Sequence, residues 1–438
     1  MRTLTFKSGI HPPDSKKYSS DRATREIWPK KGATIIYPMV QHIGAPCKPT
    51  VKKGDRVLIG QKIGEATAFV SVPIHASISG TVTNIAPCAT PGGAVVESIF
   101  VENDALNEEI DTINIPVDYK SIPREDLFEI IKEAGIVGMG GAGFPTHIKL
   151  NTPSNETITH ILINAAECEP FITTDHRSML ENSDAIIRGV KIVQHLHPTA
   201  KAFICVENNK MDAILKMDEI CKEIENIEVV ALETKYPQGA EKQLILALTG
   251  KEVPSGKLPS SVGCSVLNID TVIAIDRAIT RGRPLMRRII TITGDAVLTP
   301  GNYKVRLGMK YSDLLQELGG FKSDPYKFIS GGPMMGTAMY DLDIPMTKGS
   351  SALICFSEEA GKIPEERNCI RCGRCVSGCP AGLVPCDLDS HIRHDDYISF
   401  VKYNGIDCIE CGSCSYVCPA KIQLAQSIRM AKRKTLQK

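Results

Sequence analysis

Eight cysteines near the carboxyl end of the chain fall into two runs that share one spacing. Each run reads Cys-x2-Cys-x2-Cys-x3-Cys-Pro, first over residues 369–380 and again over residues 408–419. This pattern binds four-iron clusters, and the fourth cysteine of each run ligates the cluster of the other run. The first cluster set is therefore predicted to be Cys369, Cys372, Cys375 and Cys418. The second cluster set is predicted to be Cys408, Cys411, Cys414 and Cys379.

The spacing of these cysteines has a physical basis. Three thiolates two residues apart on a tight loop can cap three irons of one cube, while the fourth, which precedes a helix-stopping proline, points away. Gly373 and Gly412 lack a Cβ and leave room for the loop to wrap the inorganic core. Zinc is the alternative, because paired Cys-x2-Cys motifs often hold it. A zinc site built on paired Cys-x2-Cys motifs does not require a third cysteine at the same spacing or a fourth before proline. The repeat therefore favours two iron–sulfur clusters that conduct single electrons.

A glycine-rich segment, residues 135–150, is the second candidate site. Gly138, Gly140 and Gly143 satisfy the spacing of the dinucleotide fingerprint. The context argues against a Rossmann unit, because the segment follows a predicted helix and Pro145 interrupts the helix that should come next. The glycines instead indicate that backbone amides approach a bulky anionic group, and the alternative is a glycine-rich surface loop.

Polar residues at the end of this segment and after it lie at positions where a cofactor could bind. Lys149 supplies a fixed cation for a phosphate. A predicted buried strand over 160–170 ends in Glu167, Cys168 and Glu169, and open α/β sheets bind ligands at the carboxyl ends of their strands. Alternating helix and strand patterns continue to about residue 285, which indicates an α/β layer.

The composition bounds the class of protein. A chain of 438 residues is long enough for three or four domains, and its net charge of +1 gives no electrostatic reason to expect nucleic acid as a partner. The chain has sixteen cysteines, and the eight outside the two runs are scattered without a disulfide-like pattern. This usage indicates a reducing compartment. The first residues lack the apolar core of a signal peptide, and no apolar run is long enough to cross a bilayer. We therefore expect a cytosolic protein, or one held at a membrane only through partners.

The pattern of elements predicts a multidomain α/β plus α+β fold. Short glycine-punctuated β runs in the first part resemble a lipoyl-type hammerhead, but no lysine lies between positions 62 and 120 to act as a swinging arm. This part is therefore predicted to be a scaffold or docking domain. The predicted domains are an arm and lipoyl-like barrel sandwich (1–115), an α/β domain with the candidate ligand site (116–288), a β-grasp domain of SLBB type (289–350) and a helical two-cluster ferredoxin domain (351–438).

Over nearly its whole length the chain resembles the C subunits of Rnf complexes, the ion-translocating ferredoxin:NAD oxidoreductases. The resemblance lies in the two cysteine runs and in the segments GIHPP (9–13), QHIGAP (41–46), VPIHASISGTV (72–82), GIVGMGGAGFPTHIKL (135–150), NAAECEP (164–170) and YPQGAEKQL (236–244). The central domain is similar to the flavin- and NADH-binding subunit of respiratory complex I. The resemblance implies noncovalent FMN on which NADH stacks, together with two [4Fe–4S] clusters.

The complex I resemblance also implies which residues bind these cofactors. Glu241 is expected to face the nicotinamide as the catalytic carboxylate. The other matching positions are Gly138, Gly140, Gly141, Gly143, Phe144, Lys149, Asn164, Glu167, Gly239, Asn268 and Thr271. This chain has Ala166-Glu167 and Ala240-Glu241 where the complex I pattern carries Asp-Glu and Glu-Glu, so the nucleotide contacts of the missing acids are not carried over.

The resemblance further implies a peripheral protein at the cytoplasmic face of the bacterial plasma membrane. Its expected partners are the other Rnf subunits, both integral membrane and ferredoxin-type, and NADH. Two alternatives remain open. One is the flavin and iron–sulfur cobalamin reductase family, which shares the glycine-rich loop and two clusters but is disfavoured by GIHPP and QHIGAP. The other is a non-catalytic electron conduit and scaffold with a degenerate flavin site.

Overall fold

The computed structural model describes residues 3–153 and 156–436. Two small antiparallel sheets build the first domain, and their inward residues, such as Ile35, Ile63 and Ile99, are fully buried in one core. Its strands are β1 (Arg25–Glu26), β2 (Thr34–Pro38), β3 (Lys48–Pro49), β4 (Arg56–Val57), β5 (Lys62–Glu65), β6 (Ile74–His75), β7 (Gly80–Ala89) and β8 (Val95–Asn103). The sheet orders are β2-β8-β7-β4 and β3-β5-β6. This is the two-sheet sandwich that the glycine-punctuated pattern predicts.

The central domain is a parallel sheet covered by helices. Its helices are α1 (Arg124–Glu133), α2 (Thr146–Leu150), α3 (Thr174–Glu181), α4 (Ser183–Leu196), α5 (Met211–Cys221), α6 (Glu241–Thr249) and α7 (Ile269–Arg281). Its strands are β9 (His160–Ala165), β10 (Lys201–Glu207), β11 (Ile227–Leu232) and β12 (Cys264–Asn268), in the order β11-β10-β9-β12. Helix α4 forms because Ile186, Val190 and Val193 repeat at helical spacing and are buried.

The third domain contains a mixed six-stranded sheet that extends beyond its predicted end. Its elements are β13 (Arg287–Thr293), β14 (Gly301–Arg306), α8 (Tyr311–Glu317), β15 (Lys327–Ser330), β16 (Thr337–Met339) and β17 (Ala352–Phe356). Strand β17 lies between β13 and β15, although the sequence assigned residues 351–438 to the cluster domain. The short apolar run of β17 gave no indication of its partners. The arm strand β1 pairs with β14, and the buried faces of this sheet and of the first domain share one core.

The cluster domain is helical, as expected. Its helices are α9 (Glu358–Gly361), α10 (Arg374–Ser377), α11 (Pro385–Arg393), α12 (Tyr397–Lys402), α13 (Ser413–Tyr416) and α14 (Leu424–Leu436). The chain breaks between α11 and α12. Asp395 adopts a left-handed φ of 54°, and the Asp396 side chain accepts a hydrogen bond from the backbone N–H of Ser399 to begin the second helix. Across residues 3–153 and 156–436, no helix combines the length and apolar character needed to cross a membrane.

Candidate functional site

A crevice forms at the carboxyl edge of the central sheet, between β9 and β12. The chain goes from β9 to β10 and β11 on one side, and then returns to place β12 on the other side of β9. Open parallel sheets bind ligands at this kind of topological switch point. Asn164 and Asn268 are register partners at the ends of the two strands, so two predicted site residues lie side by side here.

Residues 138–143, which we call the glycine loop, fold against the start of α7. The Gly138 N–H donates to the Phe144 carbonyl oxygen (2.8 Å), which closes the loop. The Met139 N–H donates to Oγ1 of the buried Thr271 (3.0 Å), which pins the loop to the helix. Gly140 has a φ of +82°, and a Cβ built there would lie 2.9 Å from Nδ2 of Asn268. The loop therefore needs glycine at Gly140 for both backbone conformation and space.

The outer side of the glycine loop is open. A Cβ built at the exposed Gly141 would meet no heavy atom within 4 Å among the described residues, which leaves room for a ligand over the backbone. The loop is supported from the opposite direction by the first domain. There the Ile43 N–H donates to the Gly143 carbonyl oxygen (3.2 Å), so the QHIGAP segment holds the loop in place.

Lys149 and Glu241 form an ion pair beside the loop. Lys149 lies on α2 and Glu241 is the first residue of α6, and both side chains are partly exposed. The predicted phosphate cation and the predicted catalytic carboxylate therefore lie together. An anionic ligand at this position would compete with Glu241 for the Lys149 ammonium group.

Asn164 holds the turn that leads into α6. Its Nδ2 donates to the Gly239 carbonyl oxygen (2.7 Å), and its Oδ1 accepts from the Ala166 N–H (3.2 Å). The Gly239 N–H donates to Sγ of Cys168 (3.3 Å). A Cβ at Gly239 would lie 3.2 Å from Oδ1 of Asn164, so this close approach favours glycine. The contacts join the end of β9 to the residues just before Glu241.

The contacts of the Glu167 carboxylate differ from those expected of a direct cofactor ligand. Its carboxylate accepts hydrogen bonds from the N–H groups of Asp175 (2.6 Å) and His176 (3.4 Å) at the start of α3. The Lys16 ammonium group lies 3.7 Å away, and the Glu167 side chain is only 3% exposed. An acid at a helix N-terminus is stabilised by the unpaired N–H groups there. These contacts support a positioning function for Glu167, which braces α3 behind the crevice.

Asp175 is a crevice residue that the sequence did not single out. Its Oδ2 accepts from Nδ2 of Asn268 (2.9 Å), and the carboxyl group is buried. Burial, followed by the neighbouring carboxylates Glu167 and Asp270, raises the pKa of Asp175 well above its usual range. An aspartate in the first turn of a helix is common because the helix dipole stabilises it, so the sequence alone did not single out Asp175.

The crevice domain contacts the cluster domain directly at Tyr236 and indirectly through a turn of the third domain. The Tyr236 hydroxyl donates to the carbonyl oxygen of Cys411 (2.6 Å), and Tyr236 is fully buried. The Glu169 carboxylate accepts from the N–H groups of Met334 (3.1 Å) and Met335 (2.9 Å), in a turn that packs against the second cysteine run. Burial raises the pKa of Glu169 to about 7. The segment before α6 therefore contacts the cluster domain directly, whereas Glu169, just after β9, reaches it only through this turn.

The second cluster set lines a single cavity. Its cysteines are Cys379, Cys408, Cys411 and Cys414. The cavity brings Cys379 of the first run among three cysteines of the second run, in the crossed arrangement that the spacing predicts. The Gln243 side chain on α6 donates to the Pro380 carbonyl oxygen (3.1 Å), so this cavity lies next to the crevice domain.

The first cluster set is nearer to the surface. Cys375 and Cys418 lie in one buried cluster of side chains, whereas Cys369 and Cys372 are exposed. Gly373 has a φ of +75°, and Gly412 has a φ of +81° at the corresponding place in the other run. The same left-handed glycine therefore precedes the short helix α10 in one run and α13 in the other.

Four family models match the chain in the order of its domains. They are the RnfC barrel sandwich hybrid domain (4–106), the Nuo51 FMN-binding domain (131–277), the SLBB domain (289–338) and the 4Fe-4S dicluster domain (368–422). The predicted fold class is thereby confirmed, and so are FMN and two [4Fe–4S] clusters as cofactors. The residue-level assignments within these domains stay predictions.

Curated proteins resemble the chain along nearly its whole length. The C subunit of the Na+-translocating ferredoxin:NAD+ oxidoreductase complex of Acetobacterium woodii is 43% identical, over 99% of this chain and 97% of the relative. The C subunit of the proton-translocating complex of Clostridium ljungdahlii is 47% identical, over 98% and 93%. The C subunit of an ion-translocating oxidoreductase complex of Yersinia pestis is 42% identical, over 98% of this chain and 68% of the longer relative.

Among solved structures, a chain of an NAD+-reducing [NiFe]-hydrogenase in its air-oxidized state has a similar fold. The TM-score is 0.50 at 17% identity, and the match covers 71% of this chain and 63% of the hydrogenase chain. This similarity concerns the fold alone. The identity to the curated relatives and the matched amino-terminal domain are specific to one family. The chain belongs to the RnfC family, the C subunits of ion-translocating oxidoreductase complexes.

Proposed function

We infer that this chain is the NAD-linked electron-transfer subunit of a membrane-bound Rnf complex, in which electron flow between ferredoxin and NAD is coupled to ion translocation. The observation that carries the inference is the placement of two sites. The crevice at the sheet edge and the cavity of the second cluster set lie on either side of one interface, which the Tyr236–Cys411 hydrogen bond crosses. A flavin site and a cluster beside it form a short path for electrons.

The residues of the crevice fit FMN. The glycine loop offers an open face at Gly141, and the Lys149 ammonium group lies beside it as a cation for the phosphate. Bound FMN exchanges hydride with nicotinamide and single electrons with iron–sulfur clusters. Asn164, Asn268 and Thr271 hold the loop and the strand ends in place, so these parts of the site are positioned before a ligand arrives.

Glu241 is the residue that we assign to the nicotinamide side. In the ligand-free chain, its ion pair with Lys149 holds the carboxylate next to the glycine loop. A carboxylate in this position orients the nicotinamide amide group and supports the positive charge that appears when hydride leaves. NADH is therefore proposed as the two-electron partner at this crevice.

The partners are proposed from the exposed end of the electron path. Membership of the C-subunit family implies other subunits of the same complex. We place the chain peripherally at the cytoplasmic face of the membrane, where it meets integral membrane and ferredoxin-type subunits. The exposed Cys369 and Cys372 put the first cluster set at the surface, which suits electron exchange with such a subunit.

Anaerobic purification tests this function directly. Iron, acid-labile sulfide and flavin are measured per chain, and the protein is then titrated with NADH. The expected result is two four-iron clusters and one FMN, with flavin bleaching on addition of NADH. Purified protein that holds both clusters but no flavin would support the non-catalytic conduit, and a flavin that NADH does not bleach would contradict the nucleotide assignment.

Substitution of Lys149 by alanine is expected to weaken flavin retention while both clusters remain. Charge-assisted hydrogen bonds contribute roughly 1.5–3 kcal/mol, so flavin affinity should fall by about one to two orders of magnitude. Flavin fluorescence after dialysis measures the retained fraction. Lys201→Ala is the matched control, because Lys201 also forms a lysine–glutamate pair, with Glu228 at 2.6 Å. Equal flavin occupancy in both variants would remove Lys149 from the phosphate site.

Substitution of Glu241 by alanine is expected to keep FMN and both clusters but to lose most NADH-dependent flavin reduction. An acid at a helix start is also stabilised by the helix dipole, and that explanation alone predicts only a modest loss of stability. Stopped-flow bleaching by NADH is compared with dithionite reduction of the same sample, and Glu228→Ala serves as control. If NADH bleaches the Glu241 variant at the wild-type rate, the carboxylate has no part in the nicotinamide site.

A further inference from the structure

A second cavity, with none of the crevice residues in its lining, lies where α7 meets the strands β13 and β14. It is a small pocket that is partly open to solvent. Four arginines contribute to its wall: Arg277, Arg283, Arg287 and Arg306. Their convergence on one cavity is unusual in a chain whose net charge is only +1.

The carboxylates near this cavity neutralise only part of the charge. Arg283 is fully paired, because its guanidinium donates to both oxygens of Glu109 at 2.9 and 3.0 Å. Arg287 lies 3.9 Å from Glu26, beyond hydrogen-bond distance, and Glu26 is already bound by Lys304 at 2.6 Å. Arg287 is therefore only weakly compensated.

The guanidinium groups of Arg306 and Arg277 have no carboxylate paired with them in the part of the chain that the structure describes. Arg306 is 5% exposed and stacks on Trp28, with 3.5 Å from the guanidinium carbon to the ring centroid. Within residues 3–153 and 156–436, neither guanidinium donates a hydrogen bond or forms an ion pair. Burial and then Arg287 lower the pKa of Arg277 to about 9 and that of Arg306 to about 10. Buried charges without hydrogen-bonded partners are costly, so the site is incomplete as it stands.

Packing alone explains only one of these arginines. An arginine can serve a fold by covering apolar surface with its stem and stacking its guanidinium on an aromatic ring. That describes Arg306 on Trp28. It does not explain Arg277, which has no aromatic partner among the described residues and has Arg287 as a neighbouring like charge. The carboxylates near Arg277, Asp270 and Asp276, are already paired with Arg288 and Arg188.

We propose that this cavity binds a phosphate group, carried by a small metabolite or by a lipid headgroup, through Arg277, Arg287 and Arg306. Guanidinium groups match the oxygens of phosphate with paired, charge-assisted hydrogen bonds. A phosphate monoester carries a charge of about −1.5 to −2 at neutral pH, which offsets most of the three weakly compensated arginines. A single carboxylate would leave about two positive charges uncompensated in the same space.

The test is a titration of the holoprotein with pyrophosphate, read as the shift in thermal unfolding temperature. Wild type and Arg56→Gln are expected to gain stability, whereas Arg277→Gln should need at least about tenfold more pyrophosphate for the same shift. Arg56 is the matched control because it is an exposed arginine paired with Glu108 (2.8 Å) and Asp104 (3.1 Å) outside the cavity. Vesicles of phosphatidylcholine with and without phosphatidic acid form the second arm, which identifies a lipid source.

The unfolding temperatures of wild type and Arg277→Gln without pyrophosphate give an independent measurement. Burial and the like charge of Arg287 disfavour the Arg277 guanidinium more than the carboxylates Asp270 and Asp276 favour it. Arg277→Gln is therefore expected to unfold at a higher temperature than wild type without pyrophosphate. A purely structural arginine would give the opposite sign. The proposal is overturned if neither pyrophosphate nor phosphatidic acid binds in an Arg277-dependent way. Poly-glutamate is titrated as a third probe, and Arg277-dependent binding of poly-glutamate alone would also overturn the proposal, because it would indicate an acidic protein partner.

Discussion

Replacement of Cys379 by serine is expected to alter the cluster that Cys408, Cys411 and Cys414 hold, and to leave the other cluster unchanged. The reason is the cavity that these four cysteines line together, although Cys379 belongs to the first run in the sequence. A serine oxygen is a poorer iron ligand than a thiolate, so the affected cluster should be lost or show a shifted EPR signal. EPR of the dithionite-reduced protein measures both clusters in one sample.

Two further variants make this assignment decisive. Cys408→Ser should alter the same EPR signal as Cys379→Ser, and Cys369→Ser should alter the other signal. If Cys379→Ser instead reproduces the spectrum of Cys369→Ser, each run binds its own cluster and the crossed assignment is wrong. Because the second cavity adjoins the crevice domain, its cluster is also expected to be the one that the flavin reduces first.

Replacement of Gly141 by valine is expected to remove FMN without unfolding the protein. The backbone of Gly141 lies outside the left-handed region, and a Cβ built there meets no described heavy atom within 4 Å, so the ligand-free fold has room for the side chain. A flavin lying over the glycine loop would collide with it. We expect at least about a tenfold loss of flavin affinity, equivalent to about 1.4 kcal/mol.

Gly349→Val provides the control for this experiment. Gly349 is also exposed, also outside the left-handed region and also without a described heavy atom near its built Cβ. Both variants should unfold at the wild-type temperature when flavin is removed, and only the Gly141 variant should lose flavin on gel filtration. Full flavin occupancy in Gly141→Val would place the cofactor away from the loop.

The sequence could predict features that depend on local spacing. The two cysteine runs predict their crossed sets from residue intervals alone, and the structure places Cys379 beside Cys411 in one cavity. The glycine pattern predicts a loop whose amides approach a bulky anionic group, and this stays a prediction. The structure shows that glycine is needed at Gly140, where a built Cβ would lie 2.9 Å from Nδ2 of Asn268. Such motifs carry their geometry within a few residues, so no knowledge of distant contacts is needed.

Features that depend on distant contacts were not predictable in the same way. Glu167 has the residue type and position of a ligand, but a helix start and Lys16, far away in sequence, occupy its carboxylate. Asp175 enters the crevice only because Asn268 reaches it across the fold. Strand β17 pairs within a sheet whose other strands are separated from it by loops and helices, and a five-residue apolar run contains no information about those partners.

Electrons are proposed to pass from NADH through FMN to the clusters within this chain. Rapid mixing of the anaerobic protein with NADH, followed by freeze-quench EPR and flavin absorbance on matched samples, tests it most directly. We predict that flavin bleaches first, that cluster reduction follows, and that flavin-free protein shows no cluster reduction by NADH although dithionite still reduces it. Reduction of the clusters by NADH at an unchanged rate in flavin-free protein would contradict the account.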